Sequence, residues 1–550
     1  MFKLHLYSSI IFLFAYYSVS IAYDVAIFGA TPGGIAAAIT AARLASSFSI
    51  VIIEPTSYIG GMAAAGGIGL RDLGSEVTIP GSIVQDWVNN NYKYYKNVSH
   101  PIYQPDMNIS RQSFLDLLSM HSNIQLITDV GPLIDKSIVM NGTRIVQVTT
   151  KNGQRVWNAS VWIDASYEGD LVRFSGASFT WGRESHIQYN ESFAGVRPYT
   201  SFSNFIPNYP VNASLDNGTL APYVSSEKLE SVGSADLNMM GYSYRLCLTT
   251  TKKKQAPFVK PTNYDPNNFI ILQRYINSLI ASKQYPQGPP LSKLVDILSY
   301  RGYPDGDKFD MCDSAGSAFT SDAININRNY VNGTVEDRLY VAQSVSDYVL
   351  GMLWYLLTSP LVPEATRKSI ENYGLCNDQW PENSHIPPQL YVREGLRLVN
   401  DQVFTQNHVL SGLCRNDTIA LGSWRYDIHV VTRTVNGSYV NNEGAIFQEI
   451  AHVNGSQSGP VFEIPYSILL PKRNEVTNLL VPVCHAATHV AYSATRVEPH
   501  FMLLGGAAGY AAVYSILDGH IDVQVVNINR LQERLLKDGV PLHYPRGHCD

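Results

Sequence analysis

The chain has 550 residues, of which 45% are hydrophobic and 16% are charged, and its formal net charge is −6 at pH 7. This size and composition fit a globular protein with a large core and room for several domains. The small negative charge gives no support for nucleic acid or an anionic membrane surface as a partner.

The first 22 residues have the pattern of a secretory signal peptide. A short positive start, Met1–Lys3, precedes an apolar run at Ile10–Tyr17 and a small-x-small cleavage site at Ser20–Ala22. We therefore predict a protein that is secreted or lies in the lumen of the secretory or lysosomal pathway. A signal anchor is the alternative, but the run is short for a span, and no later segment has the roughly 18 unbroken apolar residues of a membrane helix.

N-glycosylation sequons agree with a secretory route and predict N-glycans on exposed asparagines. They begin at Asn97, Asn108, Asn141, Asn158, Asn190, Asn212, Asn217, Asn332, Asn416, Asn436 and Asn454. Six cysteines are present without a C-x-x-C motif, which argues against a thiol redox motif or a zinc ribbon, and we expect no metal. An oxidising compartment would favour about one to three disulfides. Cys247 and Cys484 lie in apolar runs, a pattern that favours buried free thiols.

The first βαβ unit organises the chain. Asp24–Phe28 and Ser49–Ile53 are predicted buried strands, Gly29–Gly34 is a turn, Ile35–Ala45 is a helix of small residues, and Glu54 follows 20 residues after Gly34. This is the layout of a dinucleotide-binding unit: the turn approaches a pyrophosphate, the helix N-terminus supplies N–H groups, and the acid binds ribose hydroxyls.

The turn departs from G-x-G-x-x-G in one place. Thr31 occupies the position of the second glycine, and the additional glycine is Gly33, after Pro32. The alternative interpretation is an ordinary βαβ unit with a tight turn and no nucleotide.

The next segment, Ser57–Gly74, has five glycines in the ten positions Gly60–Gly69, which predicts neither helix nor strand. We interpret it as a fixed loop against a flat ligand, with a flexible linker as the alternative. A helix is predicted over Ser110–Met120 with Ser110 as its cap, followed by strands at Ile124–Asp129 and Ile145–Thr149.

A strand that begins at Val161 runs out into the polar loop Ala165–Asp170. Because ligands bind beyond the carboxyl ends of strands in open α/β sheets, this loop is a candidate for a second nucleotide contact. A capped helix start led by Glu168 and Asp170 is the alternative.

From Arg197 to about Pro388 the βαβ rhythm disappears, and we predict an inserted second domain. Tyr242–Thr249 alternates as a half-buried strand, and Phe269–Ser278 and Val341–Leu357 are predicted helices.

Near the C-terminus, Gln389–Asn400 is predicted to be amphipathic, and Asn478–Val483 to be a short buried strand. The last long helix, Arg496–Asp518, carries Pro499 in its first turn. Its small residues Gly505–Gly509 favour a ligand near the helix, with tight helix–sheet packing as the alternative, and both can hold at once.

With these motifs in place, the chain resembles the FAD-dependent oxidoreductase family whose first motif reads G-x-T-P-x-G-I-A-A-A, so Thr31-Pro32 is that family's form of the turn. The resemblance continues through IGGMAAAGGIG, WIDASYEGDL, YSYRLCLT, LYVREGLRLV and FMLLGGAAG. Asp310–Ser317 and Ile428-His429 depart from the expected pattern, which could alter the substrate cavity.

The resemblance implies an α/β fold, with an FAD-binding Rossmann-like, three-layer domain and an inserted α+β substrate domain. The predicted boundaries are 1–22 for the signal peptide, 23–195 and 389–550 for the two parts of the FAD-binding domain, and 196–388 for the insertion. The implied cofactor-binding residues are Gly29, Ala30, Thr31, Pro32, Gly33, Gly34, Glu54, Gly60, Gly61, Met62, Ala165, Gly505, Gly506 and Ala507.

Oxidation of a C–H bond by a flavin needs a hydride path and usually a base. His489 is the first candidate for the base and Arg496 for anchoring flavin or substrate oxygens; His485, Arg393, Arg397 and His429 are further candidates. The sequence shows no second glycine fingerprint, so it gives no sign of a separate NAD(P)H-binding domain. We expect oxidation of a small molecule, with oxygen or another acceptor reoxidising FAD. The alternatives are a binding protein without turnover and a non-redox lyase acting on a polysaccharide.

Overall fold

The computed structural model describes residues 22–70, 72–96, 98, 101–151, 155–200, 203–282, 291–299, 301–304, 306–312, 317–411, 415–448 and 461–543. Several sequence features lie outside these residues: the signal peptide up to residue 21, Asn97, Asn454, Cys414, Cys549 and residues 313–316.

Strands and helices are numbered here in chain order. The strands are β1 (Ala22–Phe28), β2 (Ile50–Ile53), β3 (Ile124–Ile127), β4 (Ile138–Asn141), β5 (Arg144–Thr149), β6 (Val156–Asp164), β7 (Phe179–Thr180), β8 (Cys247–Thr249), β9 (Gln255–Ala256), β10 (Arg301–Gly302), β11 (Lys308–Asp310), β12 (Gly374–Cys376), β13 (Arg397–Leu398), β14 (Thr418–Gly422), β15 (Tyr426–Ile428), β16 (Thr432–Asn436), β17 (Tyr439–Glu443), β18 (Ile446–Gln448), β19 (Phe462–Pro465) and β20 (Leu479–Leu480). The α-helices are α1 (Pro32–Leu44), α2 (Gly61–Ala64), α3 (Ile83–Tyr92), α4 (Met107–Ser119), α5 (Asp170–Ser175), α6 (His186–Tyr189), α7 (Ile270–Ala281), α8 (Ser292–Val295), α9 (Val335–Thr358), α10 (Glu364–Glu371), α11 (Gln406–Ser411), α12 (His489–Thr495), α13 (Glu498–Leu517) and α14 (Ile528–Lys537).

The main sheet has the order β3-β2-β1-β6-β5-β4, with β20 also paired to β6. Strands β3, β2, β1, β6 and β20 are parallel, whereas β4 and β5 form an antiparallel extension. Phe28 pairs with Ile53 on one side and with Asp164 on the other, so the carboxyl ends of β1, β2 and β6 meet at one edge. This parallel sheet confirms the predicted α/β fold class, in which helices cover both faces of an apolar parallel sheet.

Helices α1 and α13 pack closely because glycines leave one face of α13 without side chains. A Cβ atom at Gly505 would lie 2.0 Å from the carbonyl oxygen of Gly33. Farther along, Thr40 Oγ1 donates to the carbonyl oxygen of Gly506 at 2.8 Å. Of the two predicted uses of the small-residue face, tight packing is therefore present, with a helix rather than the sheet as partner.

A second sheet, of order β10-β11-β8-β12-β9, is antiparallel and lies within the predicted insertion. Cys247 in β8 and Cys376 in β12 form a disulfide across it. The expectation of a free Cys247 is therefore wrong, because its partner lies 129 residues away in sequence. Cys484 is a buried free thiol, as expected. The division into domains stays a prediction.

Three local predictions are corrected. Helix α4 begins at Met107 and is capped by Asp106, whose carboxylate accepts from Asn108 N at 3.0 Å; Ser110 lies inside the helix and donates to Ala63 O. Tyr242–Thr249 is buried along its whole length, and only Cys247–Thr249 is strand, since neighbouring segments cover both sides. Residues 390–398 are also buried rather than amphipathic, because their arginines form internal ion pairs.

Within the described part of the chain, one helix is long and apolar enough to cross a membrane, namely α13. Its most apolar window is 89% buried inside the protein, as in a core helix.

Candidate active site

The glycine turn joins β1 to α1 at the carboxyl edge of the main sheet. Gly29 has φ +99°, and a Cβ atom there would lie 2.9 Å from Ser166 N, so a larger residue would be strained. Thr31 caps α1 by accepting from Gly34 N at 3.2 Å and donates to Ala165 O at 2.7 Å. The first turn of α1 has no acidic residue, so no carboxylate within that turn offsets the positive end of the helix.

Glu54 lies directly beside this turn. Its Oε2 accepts from Ala30 N at 2.8 Å, and its Oε1 accepts from Thr56 N and Oγ1 at 2.9 and 2.7 Å. Burial raises the pKa of Glu54 to about 7, although these hydrogen bonds favour the ionised form. The structure thus brings the acid to the turn.

The glycine-rich loop after β2 is buried from Ile59 to Leu70 and is held to the turn, as expected of a fixed loop. Gly60 N donates to Ala30 O at 2.7 Å, and Met62 N donates to Tyr167 Oη at 2.8 Å. The expectation that this loop contains no helix is wrong, because Gly61–Ala64 forms the short helix α2.

The loop after β6 is organised by Asp164. Its Oδ1 accepts from Ser166 N and Oγ, and its Oδ2 accepts from Leu171 N and Val172 N in helix α5. Burial raises the pKa of Asp164 to about 7, against the effect of these bonds. A helix begins at Asp170, as the alternative predicted, but Glu168 lies outside it and the N-cap residue Gly169 supplies no side-chain hydrogen bond. The second nucleotide contact at Ala165–Asp170 stays a prediction.

Tyr167 and Glu498 are two members of the site that the sequence analysis did not select. Tyr167 Oη donates to Glu498 Oε1 at 2.8 Å and so connects the start of α13 with Met62. Burial raises the pKa of Glu498 to about 8; the Tyr167 bond opposes this and the charge of Asp72 adds to it. The Oε2 atom of Glu498 is buried and has no hydrogen-bond partner among the described residues.

Next to Glu498 lies a group of buried charged residues that we call the charge cluster. It consists of Arg245, Asp310, Asp322, Arg393, Asp427, His429 and Arg496. Arg496 Nη2 donates to Asp427 O at 2.8 Å and to its Oδ2 at 3.2 Å, and Arg393 Nη2 donates to Asp322 at 2.6 Å. Arg245 Nε donates to Asp310 at 2.9 Å. Each guanidinium therefore has its own carboxylate.

Tyr391 packs among these arginines. The Arg393 guanidinium lies 4.3 Å from the centre of its ring, and Arg496 Nη1 donates to its hydroxyl at 3.2 Å. His429 Nδ1 lies 2.8 Å from Asp322 and its Nε2 lies 3.5 Å from Asp427. The structure thus brings the predicted candidates Arg393, Arg496 and His429 together.

His489 and Arg397 belong to another buried group of charges. His489 Nδ1 lies 2.9 Å from both carboxylate oxygens of Glu394, and its backbone N donates to Glu184 at 2.8 Å. Arg397 pairs with Glu184 and Glu394. His485 makes a 2.8 Å contact to Thr495 Oγ1, and burial lowers the pKa of His485 to about 4, so it is neutral.

Some of the predicted cofactor-binding residues are connected to one another in the structure. Direct hydrogen bonds join the turn to Glu54, Gly60 and Ala165. Gly505, Gly506 and Ala507 lie two turns into α13, where Gly505 faces Gly33. Tyr167 could have been selected from the SYEGD segment, and Glu498 from its position before Pro499.

The profile of the family described as FAD dependent oxidoreductase matches residues 24–535. Among solved structures, L-proline dehydrogenase from P. horikoshii is 16% identical, with 30% of this chain and 25% of that chain covered and a TM-score of 0.18. The glycerol-3-phosphate dehydrogenase from Bacillus halodurans complexed with FAD is 11% identical, with 33% and 43% covered and a TM-score of 0.22. Thioredoxin reductase of T. acidophilum is 18% identical, with 30% and 40% covered and a TM-score of 0.17. The chain spans less than half the length of each of these three proteins. No match was found among curated proteins.

Proposed function

Because the chain belongs to the FAD dependent oxidoreductase family and takes FAD as its cofactor, we propose that it is a secreted or lysosomal enzyme that oxidises a small organic molecule. Bound at this site, FAD would accept a hydride from the substrate at its N5 atom, and oxygen or another acceptor would then take up the electrons. The observation that carries this proposal is the glycine turn. Helix α1 begins in this turn and has no acidic residue in its first turn.

The chemistry of the turn fits FAD. An N-terminus capped by Thr31 and lacking an acid in its first turn suits an anionic diphosphate, which Thr31–Gly34 would hold. Glu54 would bind the adenosine ribose, and Met62 with the start of α13 would lie along the flavin. The unpartnered atoms Glu498 Oε2 and Arg496 Nε at that end leave hydrogen-bonding capacity for a bound group. Bound FAD supplies the two-electron acceptor.

Two residues are proposed to act on the substrate. Arg496, fixed by Asp427 and Tyr391, would orient substrate oxygens. His489 is our candidate for the base, and Glu394 on its Nδ1 would fix the orientation of the ring.

Exposure of the sequons and the disulfide support a secretory route. Asn108, Asn141, Asn190, Asn212, Asn217, Asn332, Asn416 and Asn436 are exposed, whereas Asn158 in β6 is half-buried. The Cys247–Cys376 disulfide is typical of an oxidising compartment.

Anaerobic flavin spectroscopy tests the proposal. Full-length protein recovered from a secretory host should be yellow and should release FAD on denaturation. We expect one compound in a panel of sugars, polyols, amines and hydroxy acids to bleach the flavin. Product formation without bleaching would indicate the lyase alternative, and binding without turnover would indicate a binding protein.

The His489→Gln variant tests the base. It should retain FAD and lose about a hundredfold or more in the rate of flavin reduction, because general base catalysis typically contributes this much. An unchanged rate at full FAD content would remove His489 from the mechanism.

A further inference from the structure

Two sequon asparagines flank one exposed tyrosine in the same row of a small sheet. Strands β16 and β17 are joined by a two-residue turn that starts at Gly437, whose φ is +61°. Asn436 pairs directly with Tyr439 across this turn. On the other edge of β17, Tyr439 pairs with Asn212 in an antiparallel bridge. Tyr439 therefore lies between Asn436 on one side and Asn212 on the other.

The side chains of this row lie on the solvent face of the sheet. Residues that pair directly in an antiparallel ladder project from the same face, and their neighbours along each strand project from the opposite face. Asn212 and Asn436 are exposed and Tyr439 is 47% exposed, whereas Val211 and Val440 are buried. The row therefore belongs to the outer face, and the two valines belong to the inner face.

The pairing brings both asparagines close to the phenol ring. The Asn212–Tyr439 pair is flanked by hydrogen bonds of its chain neighbours, such as the one from Ala213 N to Ser438 O at 3.0 Å, and side chains approach most closely in pairs of this kind. Directly paired residues have Cβ atoms about 4.5–5.5 Å apart. A group attached to the amide of Asn212 or Asn436 therefore begins beside the ring of Tyr439.

Both asparagine amides can carry a sugar, because Asn212 begins the sequon NAS and Asn436 begins the sequon NGS. Asn212 Oδ1 accepts from Ser214 N at 2.9 Å, and neither Nδ2 atom donates a hydrogen bond within the described part of the chain. In the transfer, a bond forms between Nδ2 and the anomeric carbon of a lipid-linked sugar pyrophosphate. The bond from that carbon to the pyrophosphate breaks, and one amide proton leaves with the pyrophosphate.

The ring of Tyr439 suits a sugar as its neighbour. The C–H groups on a face of a sugar ring are apolar, so packing them on an exposed aromatic ring removes apolar surface from water. The sugar hydroxyls at the rim stay in contact with solvent. A sugar linked to a paired asparagine is already held beside the ring, so little freedom is lost when the contact forms.

We propose that the first sugars of N-glycans on Asn212 and Asn436 pack against the two sides of the Tyr439 ring. The glycans then connect the β16–β17 hairpin to residues 211–213, which come from a distant part of the chain. This proposal rests on the proposed secretory route and goes beyond it, because a sequon alone does not specify what its sugar contacts.

The test uses full-length protein from a secretory host that keeps high-mannose glycans, with occupancy of each sequon read by mass spectrometry. Native iodination reports the exposure of Tyr439. We expect it to react about threefold or more slowly in the glycosylated protein than after peptide-N-glycosidase F has removed all glycans, because the sugars would cover a ring that is otherwise 47% exposed. Endoglycosidase H, which leaves the first sugar in place, should preserve this protection.

Variants locate the contact. Asn212→Gln and Asn436→Gln should each restore part of the iodination of Tyr439, and the double variant should restore all of it. Asn217→Gln is the matched control, because Asn217 is an exposed sequon in the adjacent turn and is not paired with Tyr439. Tyr340 in α9, which is 74% exposed, is the internal reference, and its iodination should be the same in all these variants.

The reverse experiment changes the ring. Tyr439→Thr keeps a strand-forming residue and should speed the release of the Asn436 glycan from native protein about two- to fivefold, the size of one cross-strand contact. Tyr439→Phe keeps the ring and should release this glycan at the wild-type rate. Release from Asn217 should be unchanged in both variants. Thermal melting and FAD content show whether each variant is folded.

Equal iodination of Tyr439 before and after glycan removal would overturn the proposal. So would wild-type glycan release in Tyr439→Thr, or the same recovery of iodination in Asn217→Gln as in Asn436→Gln. Loss of protection after endoglycosidase H would place the contact on outer sugars and overturn the assignment to the first. Unoccupied Asn212 and Asn436 beside occupied sequons elsewhere would remove this proposal and keep the secretory route, whereas a protein without any glycan would remove both.

Discussion

Two sets of buried carboxyl groups in this protein have opposite electrostatic surroundings. Around the glycine turn, burial raises the pKa of Glu54 and Asp164 to about 7 and that of Glu498 to about 8, because backbone N–H groups and hydroxyls are their main partners. In the charge cluster, burial would also raise the pKa of Asp322, but the charges of Arg393 and His429 outweigh it and lower this pKa to about 2.

This difference shows how the two regions are built. The turn region is made of backbone donors and of carboxyls whose pKa is raised by burial, so each carries less negative charge near pH 7 than an ordinary carboxylate, which reduces repulsion of an anionic diphosphate. The charge cluster is made of ionised side chains that hold one another in place. The stability of the turn region should therefore depend on added side-chain volume and on pH. The stability of the charge cluster should depend on keeping every charged partner.

The largest effect is expected from Asp322→Ala. This change leaves Arg393 and His429 buried without their shared carboxylate and should lower the free energy of unfolding by about 3–5 kcal/mol. Urea unfolding measures it. The exposed Asp216→Ala serves as control and should change nothing measurable. Equal stability of the two variants would show that the charge cluster does not hold the fold.

A smaller loss is expected from Gly505→Ala. The new methyl would lie 2.0 Å from the backbone oxygen of Gly33, so α1 and α13 must separate, at about 1–3 kcal/mol or more. Gly506→Ala is the matched control, because its methyl would meet only Thr40 Cγ2 at 3.5 Å. The control should gain up to about 1 kcal/mol from helix propensity. Similar melting temperatures for both variants would contradict the packing argument.

The pH dependence distinguishes the two sets of carboxyls. For Glu498 the pKa rises from 4.5 to about 8, so its contribution to stability is complete below about pH 4.5 and is lost as the pH rises through 8. Asp322 has a lowered pKa, so its contribution is present above its usual value of 3.8 and is lost as the pH falls toward 2.

We therefore expect Glu498→Gln to raise the melting temperature of the FAD-free protein at pH 8–9 and to change it little at pH 5. The measurement is thermal unfolding across this range. A constant difference between variant and wild type at all pH values would show that the effect is steric.

The smallest effect is expected at the helix cap. Thr31→Val removes the Oγ1 that accepts from Gly34 N and donates to Ala165 O, and should cost about 1 kcal/mol and weaken FAD binding. Thr31→Ser keeps the oxygen and should behave like the wild type. If both variants retain wild-type stability and FAD content, the cap has no role in the site.

Local pattern predicted the turn region well. The strand at Asp24–Phe28, the strand ending at Ile53 and the long C-terminal helix with Pro499 in its first turn are all present. The errors are also instructive: Ser110 was an acceptable cap by residue type, but Asp106 lies earlier and takes that role. Tyr242–Thr249 has an alternating pattern, yet tertiary contacts bury both of its sides.

The site was predictable where its residues are close in sequence. Glu54 reaches the turn because a buried strand of the same βαβ unit ends there. Tyr167 and Glu498 meet across 331 positions, and no local pattern specifies that contact. Likewise, Arg393 and Arg496 were visible as candidates, but their carboxylate partners Asp322 and Asp427 were not.

The sequence by itself determined the βαβ unit and its glycine turn, because periodicity, small residues and spacing within one supersecondary unit encode them. The family resemblance was carried by ordered motifs along the whole chain, from the glycine turn to FMLLGGAAG. Only the tertiary structure decided that Cys247 pairs with Cys376, that Gly505 packs on Gly33, and that Arg496 shares a cavity with Glu498 and Tyr391. The physical reason is that side-chain pairing, burial and pKa depend on which distant segments meet, and the sequence does not display those contacts.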